Sequence, residues 1–230
     1  MLFACLIAAG APQANAVPGV SVTYLLRAIT TQLTFRNRDS GASTRCLGFV
    51  VTVRGPDAYV AAARSCLEPL LSTRFATGVS FAKLGVDITV VYADGSEGTV
   101  GDLAWMDDIL SLVASFVTRP ESYNKLCPSC SMYEDFGSEQ TIPVAFAPDV
   151  PTRATVSHGT VVSDVHGNYG FRLAGASVLR GSAVIDSRNG DLVGVLTALG
   201  PGDAGQEEGR LVAGKAVNDL TGYTVAMFER

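Results

Sequence analysis

Two apolar runs separated by an Asn-Gly turn lie near the end of the chain. The first run is Val178–Asp186, with the sequence Val-Leu-Arg-Gly-Ser-Ala-Val-Ile-Asp, and the second is Asp191–Leu196, with the sequence Asp-Leu-Val-Gly-Val-Leu. The residues between them are Ser-Arg-Asn-Gly, and Asn-Gly between two strand-like runs is a strong signal for a tight hairpin turn. The sequence therefore predicts a β-hairpin, which requires an antiparallel sheet.

The composition is typical of a globular chain rich in strands. Of the 230 residues, 47% are hydrophobic and 17% are charged, which is enough apolar material for a sizeable core and excludes a disordered chain. The 24 glycines and the short apolar runs favour an all-β fold with many turns. The net charge of −5 comes without a long run of either sign, so nucleic acid is not an expected partner.

A second pair of predicted strands begins and ends at a cysteine. Cys46–Val53 reads Cys-Leu-Gly-Phe-Val-Val-Thr-Val, Arg54–Asp57 forms a turn, and Ala58–Cys66 ends in Ala-Ala-Ala-Arg-Ser-Cys. This block resembles the trypsin-like serine proteases, in which a Gly-Phe-Val/Ile strand, a turn and a strand ending Ala-Ala-His-Cys follow one another. The hairpin near the end of the chain resembles the Gly-Asp-Ser-Gly-Gly-Pro nucleophile hairpin of the same family.

Two further blocks follow the order of that family. Trp105–Val113 is similar to the Asp-Leu-Ala-Leu-Leu block that carries the catalytic Asp, and Thr141–Ser163 is similar to a strand pair of the bacterial and organellar branch. The resemblance covers roughly residues 44 to 217 and implies a trypsin-like double antiparallel β-barrel. The predicted domains are a signal-like segment at 1–16, a lead and first barrel at 17–118, a linker at 119–138, and a second barrel at 139–230.

The ends of the resemblance carry weaker local signals. Ile29–Phe35 alternates between apolar and polar residues and predicts a strand, whereas the apolar patch Val20–Leu26 is not assigned. Gly200–Gly209 is predicted to be an acidic loop, Arg210–Val217 a last strand, and the residues after Val217 close the chain.

The resemblance places non-catalytic residues at two of the three triad positions. Ser65 stands where the family has its catalytic His, Arg180 stands where it has the nucleophilic Ser, and Asp108 fits the position of the Asp. A hydroxyl has no pKa near neutral pH to act as a base, and a guanidinium offers no nucleophilic atom. Val178 also replaces the family's oxyanion-hole Gly with a stiff β-branched residue. We therefore expect a non-catalytic homologue, a pseudoprotease, serving as a structural or binding subunit of a larger complex.

Alternatives stay open at these positions. A register shift by two residues would make Ser182 the nucleophile of an active endopeptidase, although the only imidazoles, His158 and His166, both lie in the second half of the chain. A secreted decoy that binds substrates without cutting them is a further alternative. Arg180 itself is interpreted as a plug paired with Asp108, as a solvated side chain, or as a site for an anion or carboxylate.

The cysteines have separate interpretations. The chain contains Cys5, Cys46, Cys66, Cys127 and Cys130. The resemblance implies a disulfide between Cys46 and Cys66, which would stabilise the fold by roughly 3 kcal/mol in the chain-entropy model. The Cys-Pro-Ser-Cys motif at 127–130 fits a redox pair, a zinc site completed by the two histidines, or a local disulfide, and we favour the last. No cofactor and no metal are expected.

The first residues have the pattern of an export signal. Met1–Ala16 contains a short apolar run and ends in Ala-Asn-Ala, like the cleavage site of a signal peptide, and it is too short to span a bilayer. The alternative is a strand or helix docked on the fold. The pattern favours an exported or organelle-lumen location, in an oxidising compartment rather than the cytosol. The expected partners are other protein subunits, with membrane association only through a partner complex.

Overall fold

The computed structural model describes residues 21–71, 84–115, 141–146, 156–163, 169–173, 180–188, 190–201 and 207–228. Within these ranges the chain forms twelve strands and two α-helices. In chain order they are α1 Val22–Ile29, β1 Thr30–Asn37, β2 Ser43–Arg54, β3 Asp57–Ala63, β4 Val86–Val91, β5 Glu97–Met106, β6 Ile109–Ser115, β7 Thr141–Phe146, β8 Ser157–Ser163, β9 Tyr169–Leu173, β10 Ala183–Asp186, β11 Leu192–Pro201, β12 Glu207–Ala213 and α2 Gly214–Phe228. Short 3-10 turns follow β3 at Arg64–Cys66 and Glu68–Leu70.

The strands form two closed antiparallel barrels. The first barrel has the order β1-β2-β3-β6-β5-β4, and the second has the order β10-β11-β12-β9-β8-β7. Read from its first strand, the second barrel is β7-β8-β9-β12-β11-β10, which repeats the order of the first. The predicted all-β double barrel is therefore confirmed, and the predicted hairpin is the β10–β11 pair.

Alternation along the strands of the first barrel fills its interior. Leu33 and Phe35 of β1 meet Leu110 and Leu112 of β6 in one buried cluster, while residues of odd and even position point to opposite faces. Each fully buried side chain of this kind contributes about 2 kcal/mol by leaving water. This packed interior fixes the ends of β3, β5 and β6, and therefore the turns that follow β3 and connect β5 to β6.

A second buried cluster lies where the barrels and both helices meet. It is built from outward-facing residues of the first barrel, residues of the second barrel, and one face of each helix. These are Phe49, Val51, Ala61, Ala104 and Ile109; Ala145, Ala183, Ile185, Leu192 and Val195; and Leu26, Ile29, Val217 and Leu220. The two barrels therefore share one apolar seam, so their adjoining strand ends have defined relative positions.

The helices and the last strand correct the sequence-based prediction. The patch Val20–Leu26 lies largely in α1, which begins after Ser21, whose hydroxyl accepts the N–H of Tyr24. The predicted strand Arg210–Val217 ends at Ala213, and α2 begins at Gly214. A side chain at position 214 would overlap the main-chain oxygen of Leu192, so this position requires glycine. The predicted loop Gly200–Gly209 is shorter than expected, since β11 continues to Pro201 and β12 begins at Glu207.

Several predictions are not tested by these ranges. The signal-like segment 1–16, the linker 119–138 with Cys127 and Cys130, and His166 lie outside the described residues. The boundaries 17–118 and 139–230 stay predictions. Neither described α-helix combines the length and apolar content needed to cross a bilayer.

Candidate functional site

The predicted disulfide is present beside the position of the family's base. Cys46 of β2 and Cys66 of the 3-10 turn are bonded, with Cα atoms 6.1 Å apart and 4% and 1% exposure. The bond ties the end of β3 to β2, as the resemblance implies. Ser65 precedes Cys66 and is therefore held at this strand end.

The hydroxyl of Ser65 is engaged with the second barrel. Ser65 is half-buried, and its Oγ donates a hydrogen bond of 2.7 Å to the main-chain oxygen of Thr197 in β11. This bond crosses from the first barrel to the second. The Ser65 hydroxyl therefore acts as a hydrogen-bond donor to a main-chain carbonyl, and this bond links the two barrels.

Asp108 lies beside the segment that carries Ser65, and it contacts this segment through its main-chain oxygen and not through its carboxylate. The N–H of Arg64 donates to the main-chain oxygen of Asp108 at 2.8 Å, and Nη1 of Arg64 donates to that of Asp107 at 2.9 Å. Both aspartates are exposed, in the turn between β5 and β6. Among the described residues, the Asp108 carboxylate makes no hydrogen bond or ion pair, whereas a triad needs this carboxylate to orient the base.

Arg180 occupies a turn immediately before β10. Its main-chain oxygen accepts the N–H of Leu47 in β2 at 3.0 Å, and the N–H of Gly181 donates to Leu196 in β11 at 2.7 Å. The Arg180 side chain is exposed and forms no ion pair with Asp108. The structure therefore brings both residues to the same end of the barrels without joining them. This excludes the plug and leaves two interpretations of Arg180, a solvated guanidinium or a site for an anion or carboxylate.

Gly181 fixes the position of that turn. It is buried with a φ of 89°, in the left-handed region that favours glycine. A Cβ at this position would overlap the main-chain oxygen of Leu47 and lie 3.6 Å from the N atom of Ala63. Arg180 therefore lies next to the strand end that precedes Ser65, and position 181 has no room for a side chain.

Five short segments thus converge at one end of the seam, and we call them the junction site. They are Leu47–Gly48, Ala63–Ser65, Asp107–Asp108, Arg180–Gly181 and Leu196–Thr197. The sequence predicted three members, Ser65, Asp108 and Arg180. It missed Arg64 and Thr197, because their contacts join distant parts of the chain and no local pattern signals them.

The other candidate residues do not complete a catalytic set within the described ranges. Ser182 is fully buried, and its main-chain oxygen accepts the N–H of Leu196 at 3.0 Å. His158 is exposed on β8, opposite Ala145 of β7, and β8 is not adjacent to β10 or β11 in the barrel. Val178 lies outside the described residues. The described side chains also contain no group of three His, Cys, Asp or Glu residues placed to hold a metal ion.

Solved structures with a similar fold include proteases. A serine endoprotease from Yersinia pestis superposes with a TM-score of 0.58 and 13% identity, covering 89% of this chain and 65% of that one. The active form of a protease from M. tuberculosis superposes with a TM-score of 0.52 and 14% identity, covering 86% of this chain and 82% of that one. A thermostable serine protease from an extremophilic microorganism superposes with a TM-score of 0.53 and 13% identity, covering 85% of this chain and 96% of that one. This chain therefore spans about two thirds of the Yersinia protein.

Comparisons by sequence find no match. No protein-family model matches the chain, and no curated protein matches it. At identities of 13 to 14%, the structural likeness establishes the shared fold alone. What the junction site does must therefore be argued from its own residues.

Proposed function

We propose that this chain, which has the two-barrel fold of the trypsin-like serine proteases, is a non-catalytic member that acts as a binding or structural subunit of a larger protein complex. The observation that carries the proposal is Arg180, at the position that the resemblance assigns to the nucleophile, where the Arg180–Gly181 peptide unit is hydrogen-bonded to both β2 and β11. A guanidinium remains protonated and cannot attack a carbonyl.

The position of the base supports the same proposal. Peptide-bond cleavage by this fold needs a group that takes a proton from the nucleophile and returns it to the leaving amine. The Ser65 hydroxyl cannot take up and return a proton near neutral pH, and it donates a hydrogen bond to the main-chain oxygen of Thr197. The bond converts a position that would face substrate into a tether between the barrels, which fits a fold retained for its shape.

The rival proposal, an active endopeptidase using Ser182, is disfavoured by burial. The Ser182 side chain has 0% exposure, whereas a nucleophile must reach the carbonyl carbon of a substrate. No imidazole among the described residues lies at the junction site. A rewired reaction would therefore need both Ser182 and a base to move.

The subunit part of the proposal concerns location and assembly. The buried Cys46–Cys66 disulfide supports an oxidising compartment, such as the space outside the cell or an organelle lumen. In such a compartment, the retained fold offers a rigid surface to partner proteins. The partners would be other protein subunits, recognised by the shape and charge of that surface.

A fluorophosphonate probe tests the catalytic half of the proposal. We expect the folded protein to show no adduct by intact-mass spectrometry, because no activated hydroxyl is present among the described residues of the junction site. The matched control is Ser182→Ala, treated in the same way. An adduct on the native chain that disappears in this variant would replace the proposal with the active endopeptidase.

Native mass of the protein, purified under mild conditions from its source, tests the subunit half. We expect a stoichiometric assembly much larger than the 24.0 kDa chain. A lone monomer would contradict the subunit role and would favour the secreted decoy that binds substrates without cutting them.

A further inference from the structure

We propose that Arg180 is a receptor for a carboxylate of a partner polypeptide, bound at the junction site by the guanidinium and the main-chain N–H of this residue. The inference rests on the proposed function, because it assigns a ligand to a position that has lost its reaction. It also specifies the chemistry of the partner, which the subunit role leaves open.

The first support is that, within the described part of the chain, neither donor group of Arg180 is used. Its only hydrogen bond among the described residues is the one that its main-chain oxygen accepts from Leu47. The exposed guanidinium carries five N–H donors in a planar fork, and this fork matches the two oxygens of a carboxylate. The main-chain N–H adds a donor at the same residue.

The second support is that the Arg180–Gly181 peptide unit is held in place before any ligand arrives. Leu47 and Leu196 hold the turn from two strands, and the left-handed Gly181 fills a space that admits no side chain. Because this peptide unit is already ordered, binding does not have to order it, and this raises affinity. An arginine at the end of a mobile loop would lack this advantage.

The charges around the junction site select the kind of anion. Asp107, Asp108 and the nearby Glu68 are acidic and exposed. The Arg64 side chain forms an ion pair with the Glu68 carboxylate at 3.1 Å and donates a hydrogen bond to the main-chain oxygen of Asp107. Among the described residues of the junction site, Arg180 is therefore the cation that remains for a ligand. A phosphate dianion would be repelled by several carboxylates and attracted by one guanidinium, whereas a singly charged carboxylate forms a balanced pair.

A carboxylate on a polypeptide has two sources, an acidic side chain or the chain terminus. We would titrate the protein with three short alanine peptides by calorimetry. One is acetylated and amidated with a central glutamate, one is acetylated with a free terminal carboxylate, and one is acetylated, amidated and neutral. Binding of the first or the second peptide above the neutral one identifies the source and supports the proposal.

Variants of Arg180 make the test specific. Arg180→Gln should weaken binding of the carboxylate peptide at least about tenfold, since a hydrogen bond to a charged group is worth about 1.5–3 kcal/mol. Arg180→Lys should restore part of the affinity, because it keeps the charge and loses the fork. The control is Arg54→Gln, which makes the same charge change at an exposed residue about 23 Å along β2 from Leu47.

The outcomes separate this inference from the proposed function. Equal binding by all three peptides, or equal affinity of native chain and Arg180→Gln, would overturn the carboxylate site. The Arg180 side chain is exposed, so we expect Arg180→Gln to unfold at the same urea concentration as the native chain. An equal midpoint shows that the variant is folded. A fluorophosphonate adduct on the same preparation would overturn the proposed function, whereas absent binding without an adduct would overturn only the inference.

Discussion

Replacement of Gly181 by alanine should damage the junction between the barrels more than any ordinary glycine substitution. An L-residue held at a φ of 89° costs about 1–2 kcal/mol. The new Cβ overlaps the main-chain oxygen of Leu47, so the turn must move and release the Leu47–Arg180 and Gly181–Leu196 hydrogen bonds. At about 1 kcal/mol for each bond, we expect a total loss of about 3–4 kcal/mol in the free energy of unfolding.

Urea unfolding under non-reducing conditions measures this loss, and Gly55→Ala is the matched control. Gly55 also has a positive φ, of 55°, but it lies in the β2–β3 turn, where a Cβ would have no atom within 4 Å. It should therefore show only the conformational cost, about 1 kcal/mol. If the two variants lose the same free energy within about 0.5 kcal/mol, the argument from close packing at Gly181 is wrong.

Three further substitutions test separate parts of the structure. Gly222→Ala in the exposed face of α2, where a Cβ would have no atom within 4 Å, should raise the free energy of unfolding by about 0.5–1 kcal/mol, and a loss would contradict the helix assignment. Replacing both Cys46 and Cys66 by serine opens a loop of 20 residues and should cost about 3 kcal/mol in urea; a cost below about 1 kcal/mol would refute the stabilising role of the bond. Ser65→Ala removes the bond to Thr197 and should cost about 1 kcal/mol, whereas native stability would show that the tether is not used.

Strand patterns and the turn signal predicted much of the fold. The two apolar runs on either side of Asn-Gly contain β10 and β11, which pair as the predicted hairpin, although β10 begins at Ala183 and not at Val178. The expected disulfide between Cys46 and Cys66 is present. The helices were missed because their sequences resemble strands: α1 contains Val22 and Thr23, and α2 is interrupted by Gly222. The i, i+3, i+4, i+7 spacing of Val217, Leu220, Thr221 and Thr224 is the signal that predicts α2.

The site was predictable in position but not in its contacts. The resemblance assigned Ser65, Asp108 and Arg180 to one site, and the structure brings their segments together. The resemblance did not show that Asp108 is exposed or that Ser65 bonds to Thr197, because side-chain direction at strand ends depends on packing between distant segments. The residue types at Ser65 and Arg180 therefore predicted a missing base and a missing nucleophile, whereas the contacts of these residues could be read only from the structure.

The central claim is that this fold is kept without its reaction, and peptide hydrolysis tests it most directly. The folded protein would be incubated with an internally quenched peptide library, beside an active trypsin-like protease as a positive control. We predict fluorescence that stays at the level of buffer alone. Hydrolysis above that level, abolished by Ser182→Ala, would contradict the claim.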